Sequence, residues 1–228
     1  MSSDERFKGC HFPKCVVLQV VYYYLRFALS YRDIEELMQD RNVDVDHATI
    51  QRWVTKYGPK LEKQFRKKKS PVGSSWRMDE TYIKVKGKWY YLYRAVDKDG
   101  QTIDFLFTKH RDTKAAKRFF KKAIRANGVP EKITIDGSAA NNAAIEEINK
   151  EMEKPIIIRQ VKYLNNIIEQ DHRFIKRITR PMLGFKSFNS ARSTLAGIEL
   201  VHMLRKGQST DPAAQHKTMF EQFCALAG

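Results

Sequence analysis

The sequence predicts a mixed α/β chain in which a helical amino-terminal segment precedes a mixed sheet covered by helices. Three observations carry that expectation. Up to about residue 65 apolar residues recur at three- and four-residue steps; beyond the break Ser70-Pro71-Val72-Gly73-Ser74-Ser75 they alternate in twos; and from residue 113 onward helical and extended patterns take turns. With 228 residues, 42 % of them apolar and 11 % aromatic, the chain is long enough to bury a core and too hydrophobic for a disordered polycation.

Val16, Val17, Val20, Val21, Tyr24 and Leu25 share one face of a helix over residues 14–28. Ser30 then supplies an N-cap, with Asp33 three residues on and Ile34, Leu37 and Met38 behind it, so a second helix runs to about residue 41. Asp46 caps a third, which carries Ile50, Trp53, Val54 and Tyr57 on one side. Helix, short connection, helix over residues 30–57 is the layout of a helix-turn-helix, whose second helix offers its early residues to base edges in the major groove. His47, Thr49, Gln51 and Arg52 are the candidates for contact, with Trp53 packing inward. The segment leaves through Lys60, Lys63, Arg66, Lys67, Lys68 and Lys69, a basic run suited to phosphate, and the break that follows marks a linker.

Beyond the linker residues 76–85 alternate, Lys86-Gly87-Lys88 turns the chain, and residues 89–96 return. Asp97-Lys98-Asp99-Gly100 makes a second turn into a third strand through Ile103, Phe105 and Phe107. A helix over 113–126, a short buried strand over 133–136, a helix over 141–153, a strand through Ile156, Ile157, Ile158 and Val161, and a helix over 166–177 follow. The order βββαβαβα predicts a five-stranded mixed sheet of the ribonuclease H-like kind. A last helix over 189–205 and a polar tail close the chain. The expected division is a helical DNA-binding domain over 1–69, a linker over 70–75, a catalytic domain over 76–208 and a tail over 209–228.

Charge narrows the partner. Forty-two Lys and Arg against 26 Asp and Glu leave a formal net charge of +16, and on a folded body such an excess points to a polyphosphate. The longest apolar stretch, from Cys15 to Leu29, is interrupted by Gln19 and Arg26 and falls short of the roughly 20 residues a spanning helix needs. Ser2-Ser3-Asp4-Glu5-Arg6 is unlike a secretory signal, and Cys10, Cys15 and Cys224 do not make a disulfide framework, so a cytoplasmic protein is expected.

Phosphodiester chemistry on such a fold requires two hard divalent cations held by a few carboxylates at strand ends and on a facing helix. Asp79 in the first strand, Asp136 at the end of the buried strand and Glu169 on the helix after the fifth strand are the candidates. Strand side chains alternate, so Asp79 and Glu80 are expected to face opposite ways and only Asp79 to point into a common site. Glu169, His172, Arg173 and Lys176 share one helical stripe, and Arg177 adjoins it, which places cations for phosphate one and two turns after a carboxylate.

Longer motifs carry a resemblance. Phe7-Lys8-Gly9 with His11-Phe12-Pro13-Lys14, Leu29-Ser30-Tyr31-Arg32-Asp33, Val43-Asp44-Val45-Asp46-His47, Arg52-Trp53-Val54, Trp76-Arg77-Met78-Asp79-Glu80-Thr81-Tyr82, Gly87-Lys88-Trp89, the run from Tyr91 to Asp97, and Leu204-Arg205-Lys206-Gly207-Gln208 together resemble the single-protein DDE transposases of the sixth bacterial insertion-sequence family. The resemblance covers about residues 7–208. It implies a retroviral-integrase-type ribonuclease H-like domain, Asp79, Asp136 and Glu169 as the metal-binding triad, and Lys176 as a basic residue contacting DNA. It implies two Mg²⁺ ions, with Mn²⁺ as a substitute, and double-stranded DNA as partner, both terminal inverted repeats and target. It also implies a homo-oligomer in the synaptic complex, replicative, cointegrate-forming movement and a bacterial cytoplasmic location. A decayed copy that only binds and represses its own ends is the alternative. Thirty-two residues separate Asp136 from Glu169, a short interval for the family, and Gly137-Ser138 follows the second aspartate.

Overall fold

The computed structural model describes residues 11–228, so Phe7, Lys8, Gly9 and Cys10 lie outside the described residues. The chain forms two compact units, one of residues up to Ser70 together with Arg177–Gly228, the other of Pro71–Lys176.

The helical unit begins with α1 (Lys14–Arg26), α2 (Tyr31–Gln39) and α3 (His47–Arg66). The caps expected from sequence are formed: Ser30 Oγ accepts from Asp33 N while the Asp33 carboxylate accepts from Ser30 N, and Asp46 Oδ1 accepts from the N–H groups of Ala48 and Thr49. α3 runs 20 residues, through Pro59, so the basic residues Lys60, Lys63 and Arg66 are helical. Its apolar face, Ile50, Trp53, Val54, Tyr57, Leu61 and Phe65, is buried.

Against it lies α7 (Phe188–Arg205), in which every residue from Thr194 to Leu204 is buried. A helix buried on every side, with Glu199 and His202 among the buried residues, is a central helix and not an amphipathic cover. Small residues let it approach: a Cβ on Gly58 would stand 3.1 Å from the Ser193 carbonyl oxygen, and one on Gly197 would stand 2.6 Å from the Leu25 methyls. The expected catalytic stretch over 76–208 is spread over both compact units. Its sheet unit ends at Lys176, and α7 belongs to the helical unit because only a surrounded position buries its whole circumference. The expected tail is also structured. Thr218 and Glu221 form a capping box for α8 (Met219–Ala225), and Phe223, fully buried, packs 5.4 Å from Tyr22 of α1.

The sheet unit contains β1 (Ser75–Val85), β2 (Lys88–Asp97), β3 (Thr102–Thr108), α4 (Thr113–Asn127), β4 (Lys132–Thr134), α5 (Ala139–Asn149), β5 (Ile157–Arg159) and most of α6 (Asn166–Thr179). Strand order is β3-β2-β1-β4-β5, antiparallel across the first three and parallel from β1 through β4 to β5. This is the mixed five-stranded, ribonuclease H-like sheet the sequence predicts. Lys86 and Gly87 both take positive φ, 48° and 78°, the two-residue turn whose twist matches a hairpin. Trp76, Met78, Tyr93, Ile133 and Ile135 form one core with Phe119, Phe120, Ala123, Ile145 and Ile148 of α4 and α5. Pairing between β1 and β4 stops at Arg77↔Thr134, so among the described residues the next residues of β1 have no strand partner on that edge.

The close approach in the helical unit yields a stability prediction. Gly58→Val should cost about 1–3 kcal/mol by overpacking against the α7 backbone, lowering the thermal midpoint by several degrees. A midpoint equal to the parent's in a circular-dichroism melt would contradict the packing.

Candidate active site

The unpaired edge of β1 is where acids gather. Asp79, Glu80 and Asp136 each bring a carboxylate oxygen to within 4.8 Å of the others. Alternation holds along the strand, since Glu80 lies on the side of Trp76 and Met78 and reaches Asn141 of α5, whereas Asp79 turns to His172 of α6. Yet both converge. With β4 ended, neither carboxyl is blocked by a neighbouring strand, and Asp136, two residues beyond β4, meets both. The expectation that only Asp79 could enter a common site is corrected by that open edge.

Glu80 is the buried member, 8 % exposed. Its Oε1 accepts from Asn141 Nδ2 at 3.0 Å and its Oε2 from Arg111 Nη2 at 3.3 Å. The same Arg111 nitrogen lies 3.4 Å from Asp136 Oδ2, and Asp136 Oδ1 accepts from Ser138 N at 3.2 Å and Asn141 Nδ2 at 3.5 Å. Burial holds the Glu80 carboxyl above the usual carboxylate range, against the opposing pull of Asn141 and Arg111, while Asp136 and Asp79 push it further up. Asn141 and Arg111 were not legible as site residues. Neither carries a spacing signal, and each reaches Glu80 through a contact made at long sequence range.

On the other side of β1, Asp79 Oδ2 lies 3.3 Å from His172 Nε2. His172 is 2 % exposed, and burial, reinforced by the nearby Arg94 and Lys176 charges, lowers its basicity despite the raising effect of Asp79. Arg94, opposite Asp79 in the β1–β2 register and fully buried, donates to Asp171 Oδ2 at 2.7 Å.

Glu169 stands in the first turn of α6 and is exposed, one turn before His172; its carboxylate is not among the three that lie within 4.8 Å. Arg173 is exposed and Lys176 half-buried on the same stripe, and Arg177 is exposed. In the helical unit, His47, Gln51 and Arg52 occupy the first turns of α3. His47 Nδ1 lies 3.0 Å from Glu35 Oε2, and Arg52 Nη2 donates to Thr49 Oγ1, which donates to Asp46 Oδ2. Lys67 and Lys68 are exposed and Lys69 half-buried; the Lys68 carbonyl accepts from Thr210 N at 2.8 Å, which ties the basic exit of α3 to the carboxy-terminal segment of the same unit.

The donor set suits a hard divalent cation. Three carboxylates offer oxygen, and the buried Asn141 Oδ1 beside them has no hydrogen-bond partner among the described residues. The Arg111 guanidinium supplies countercharge to Glu80 and Asp136.

A family model described as a DDE domain matches residues 73–208. The chain is 46 % identical over 202 residues to a transposase for insertion sequence element IS257 in transposon Tn4003 of Staphylococcus aureus, covering 88 % of each. The chain belongs to the insertion-sequence DDE transposases. A transposase for insertion sequence-like element IS431mec, from Staphylococcus aureus strain Mu50, is 45 % identical over the same share of both chains. Among solved structures, the HTLV-2 integrase catalytic core domain in complex with magnesium is 19 % identical, spans 67 % of this chain and 96 % of that one, and has a TM-score of 0.47. The BIV integrase catalytic core domain is 14 % identical, with 56 % and 83 % covered and a TM-score of 0.41. As a DDE transposase the chain is a polynucleotidyl transferase acting in DNA transposition. No described helix of the transposase is long and apolar enough to cross a membrane.

The raised Glu80 carboxyl sets a pH dependence. A raised folded-state value means that the folded chain holds the proton more tightly, so Glu80 contributes stability fully present below about pH 4.3 and lost as pH rises through its folded-state value. Glu80→Gln keeps the neutral form at every pH. Its denaturant stability, measured with chelator, should gain on the parent between pH 4 and pH 7, and parallel curves would show that Glu80 ionises normally.

Proposed function

We propose that the transposase binds the terminal inverted repeats of its insertion sequence and carries out strand cleavage and strand transfer with Asp79, Asp136 and Glu169 as its metal-holding carboxylates. The observation that carries this reading is the meeting of Asp79 and Asp136 within 4.8 Å at the open edge of β1, in a DDE domain of a chain with net charge +16. Glu169 joins them from α6 as the third acid.

Bound there, two Mg²⁺ ions, or Mn²⁺ in their place, would activate the attacking oxygen and neutralise charge on the leaving one. The chain's own groups do the rest. Asp79 presents its oxygens from β1, and Asp136 presents its own from the segment two residues past the end of β4, which starts beside β1 in parallel register. Asn141 and Arg111 hold Asp136 and Glu80 in place. Lys176, with Arg173 and Arg177, pairs with phosphate along the substrate backbone. In the first step water attacks phosphorus at the element end and the P–O3′ bond breaks, freeing a 3′-hydroxyl. That oxygen then attacks a target phosphorus, and one P–O bond forms as another breaks, with positioning supplying much of the acceleration.

End recognition falls to α2 and α3 as a helix-turn-helix. His47, Thr49, Gln51 and Arg52 lie on the first turns of α3, where base edges are read, and Lys67, Lys68 and Lys69 pair with backbone phosphate. Two ends must be joined, so the active form is a homo-oligomer in the synaptic complex, acting on DNA in the bacterial cytoplasm by replicative, cointegrate-forming movement.

Two measurements test this. Asp136→Asn and Glu169→Gln should each lower metal-dependent cleavage and joining of end-containing DNA by about a hundredfold or more while leaving end binding intact. If Glu169→Gln joins ends normally and Glu80→Gln does not, Glu80 is the third acid; if the parent itself binds ends but never cuts, it is a binder of its ends alone. Replacing Lys67, Lys68 and Lys69 by Gln should weaken binding to all sequences alike and flatten the slope of log K against log salt by about 0.9 for each phosphate no longer neutralised. An unchanged slope removes these lysines from the interface.

A further inference from the structure

Beyond the acids themselves, a buried polar chain runs behind Asp79. Arg94 is fully buried; one of its terminal nitrogens donates to Asp171 Oδ2 at 2.7 Å and the other lies 3.5 Å from His172 Nδ1. A guanidinium has only donors, so the imidazole nitrogen facing it is the unprotonated one, and a hydrogen there would set donor against donor. The proton of a neutral His172 is then on Nε2. Nε2 is itself buried, with no well-aligned acceptor among the described residues; the nearest ion-pairing oxygen is Asp79 Oδ2, at 3.3 Å.

We propose that His172 is a positioning residue of the active site, held by Arg94 as the Nε2–H tautomer and presenting that hydrogen to Asp79 Oδ2, so that the other Asp79 oxygen is directed at the shared carboxylate site. Asp171, Arg94 and His172 thus form a relay of orientation and not of protons. The ionic pair at its base fixes the guanidinium, the guanidinium fixes the tautomer, and the imidazole fixes one carboxylate oxygen. The long contact to Asp79 closes by a small turn of the carboxylate plane, which satisfies the buried N–H. Metal-ligating carboxylates are themselves held by outer hydrogen bonds, and loss of such partners costs 10- to 100-fold in affinity.

The inference rests on Asp79 holding metal, and the test separates the two. Mn²⁺ binding to the full-length chain is measured by electron paramagnetic resonance for the parent, Asp79→Asn, His172→Leu and His172→Gln. His172→Leu should weaken Mn²⁺ binding by about tenfold or more, and His172→Gln, which keeps an N–H near the Nε2 position, should stay within about threefold of the parent. Parent-like Mn²⁺ binding by His172→Leu overturns the positioning role, and parent-like binding by Asp79→Asn overturns the metal reading instead. Nitrogen-15 NMR of the histidines in the metal-free parent decides the tautomer even if a variant fails to fold. A protonated Nε2 with a bare Nδ1 is expected for His172, and the opposite tautomer or a doubly protonated ring at pH 7.5 overturns the proposal.

Discussion

The early end of β4 is the constraint on which the active site depends. β4 is three residues long and its parallel pairing to β1 stops at Arg77↔Thr134. Had the ladder continued two residues, the β4 backbone would lie beside Asp79 and Glu80 and keep their carboxyls on opposite faces of the sheet. Because it stops, Asp136 leaves the strand at the same level and three carboxylates meet. Bringing like charges together is unfavourable, and it is offset by Arg111, which lies between Glu80 and Asp136, and by Asn141, whose amide spans the same two acids. Three carboxylates gathered at one strand edge suit a cation.

Both faces of β1 support that edge by different means. The α4–α5 side is apolar, with Phe119, Phe120 and Ile145 packed on Trp76 and Met78, and it positions Glu80 by burial. The α6 side is polar, with Arg94 and His172 buried and Asp171 half-buried beside them. Buried ionic pairs add little net stability compared with apolar packing, but removing one partner strands the other at several kcal/mol, so such a pair holds one geometry firmly. Rigidity at the level of Asp79 is its physical consequence.

In the helical unit the positive charge and the apolar core are separated along the same helix. α3 buries Trp53, Tyr57 and Phe65 against its neighbours and carries Lys60, Lys63 and Arg66 elsewhere on its surface, then leaves through Lys67 and Lys68. Such a surface suits a sequence-tolerant hold on phosphate, while the capped start of α3 concentrates the polar residues able to read bases.

Much of the fold was legible because local rules specify it. Ser30 with Asp33, Asp46, the Lys86-Gly87 turn and the alternation of residues 76–96 each determine their own element without help from distant chain, and the candidate acids Asp79 and Asp136 were marked by their places at strand positions in a basic protein. Tertiary structure decided the rest. That α7 belongs with α1 and α3 depends on which surfaces surround it, since polar residues such as Glu199 and His202 are buried in it alongside the apolar ones. That Glu80 joins Asp79, and that Arg111, Asn141 and His172 attend them, depends on where a neighbouring strand ends and on contacts spanning from five to 93 residues, as from Asp136 to Asn141 and from Asp79 to His172. Periodicity reports which face a residue occupies; only the packed chain decides what it meets there.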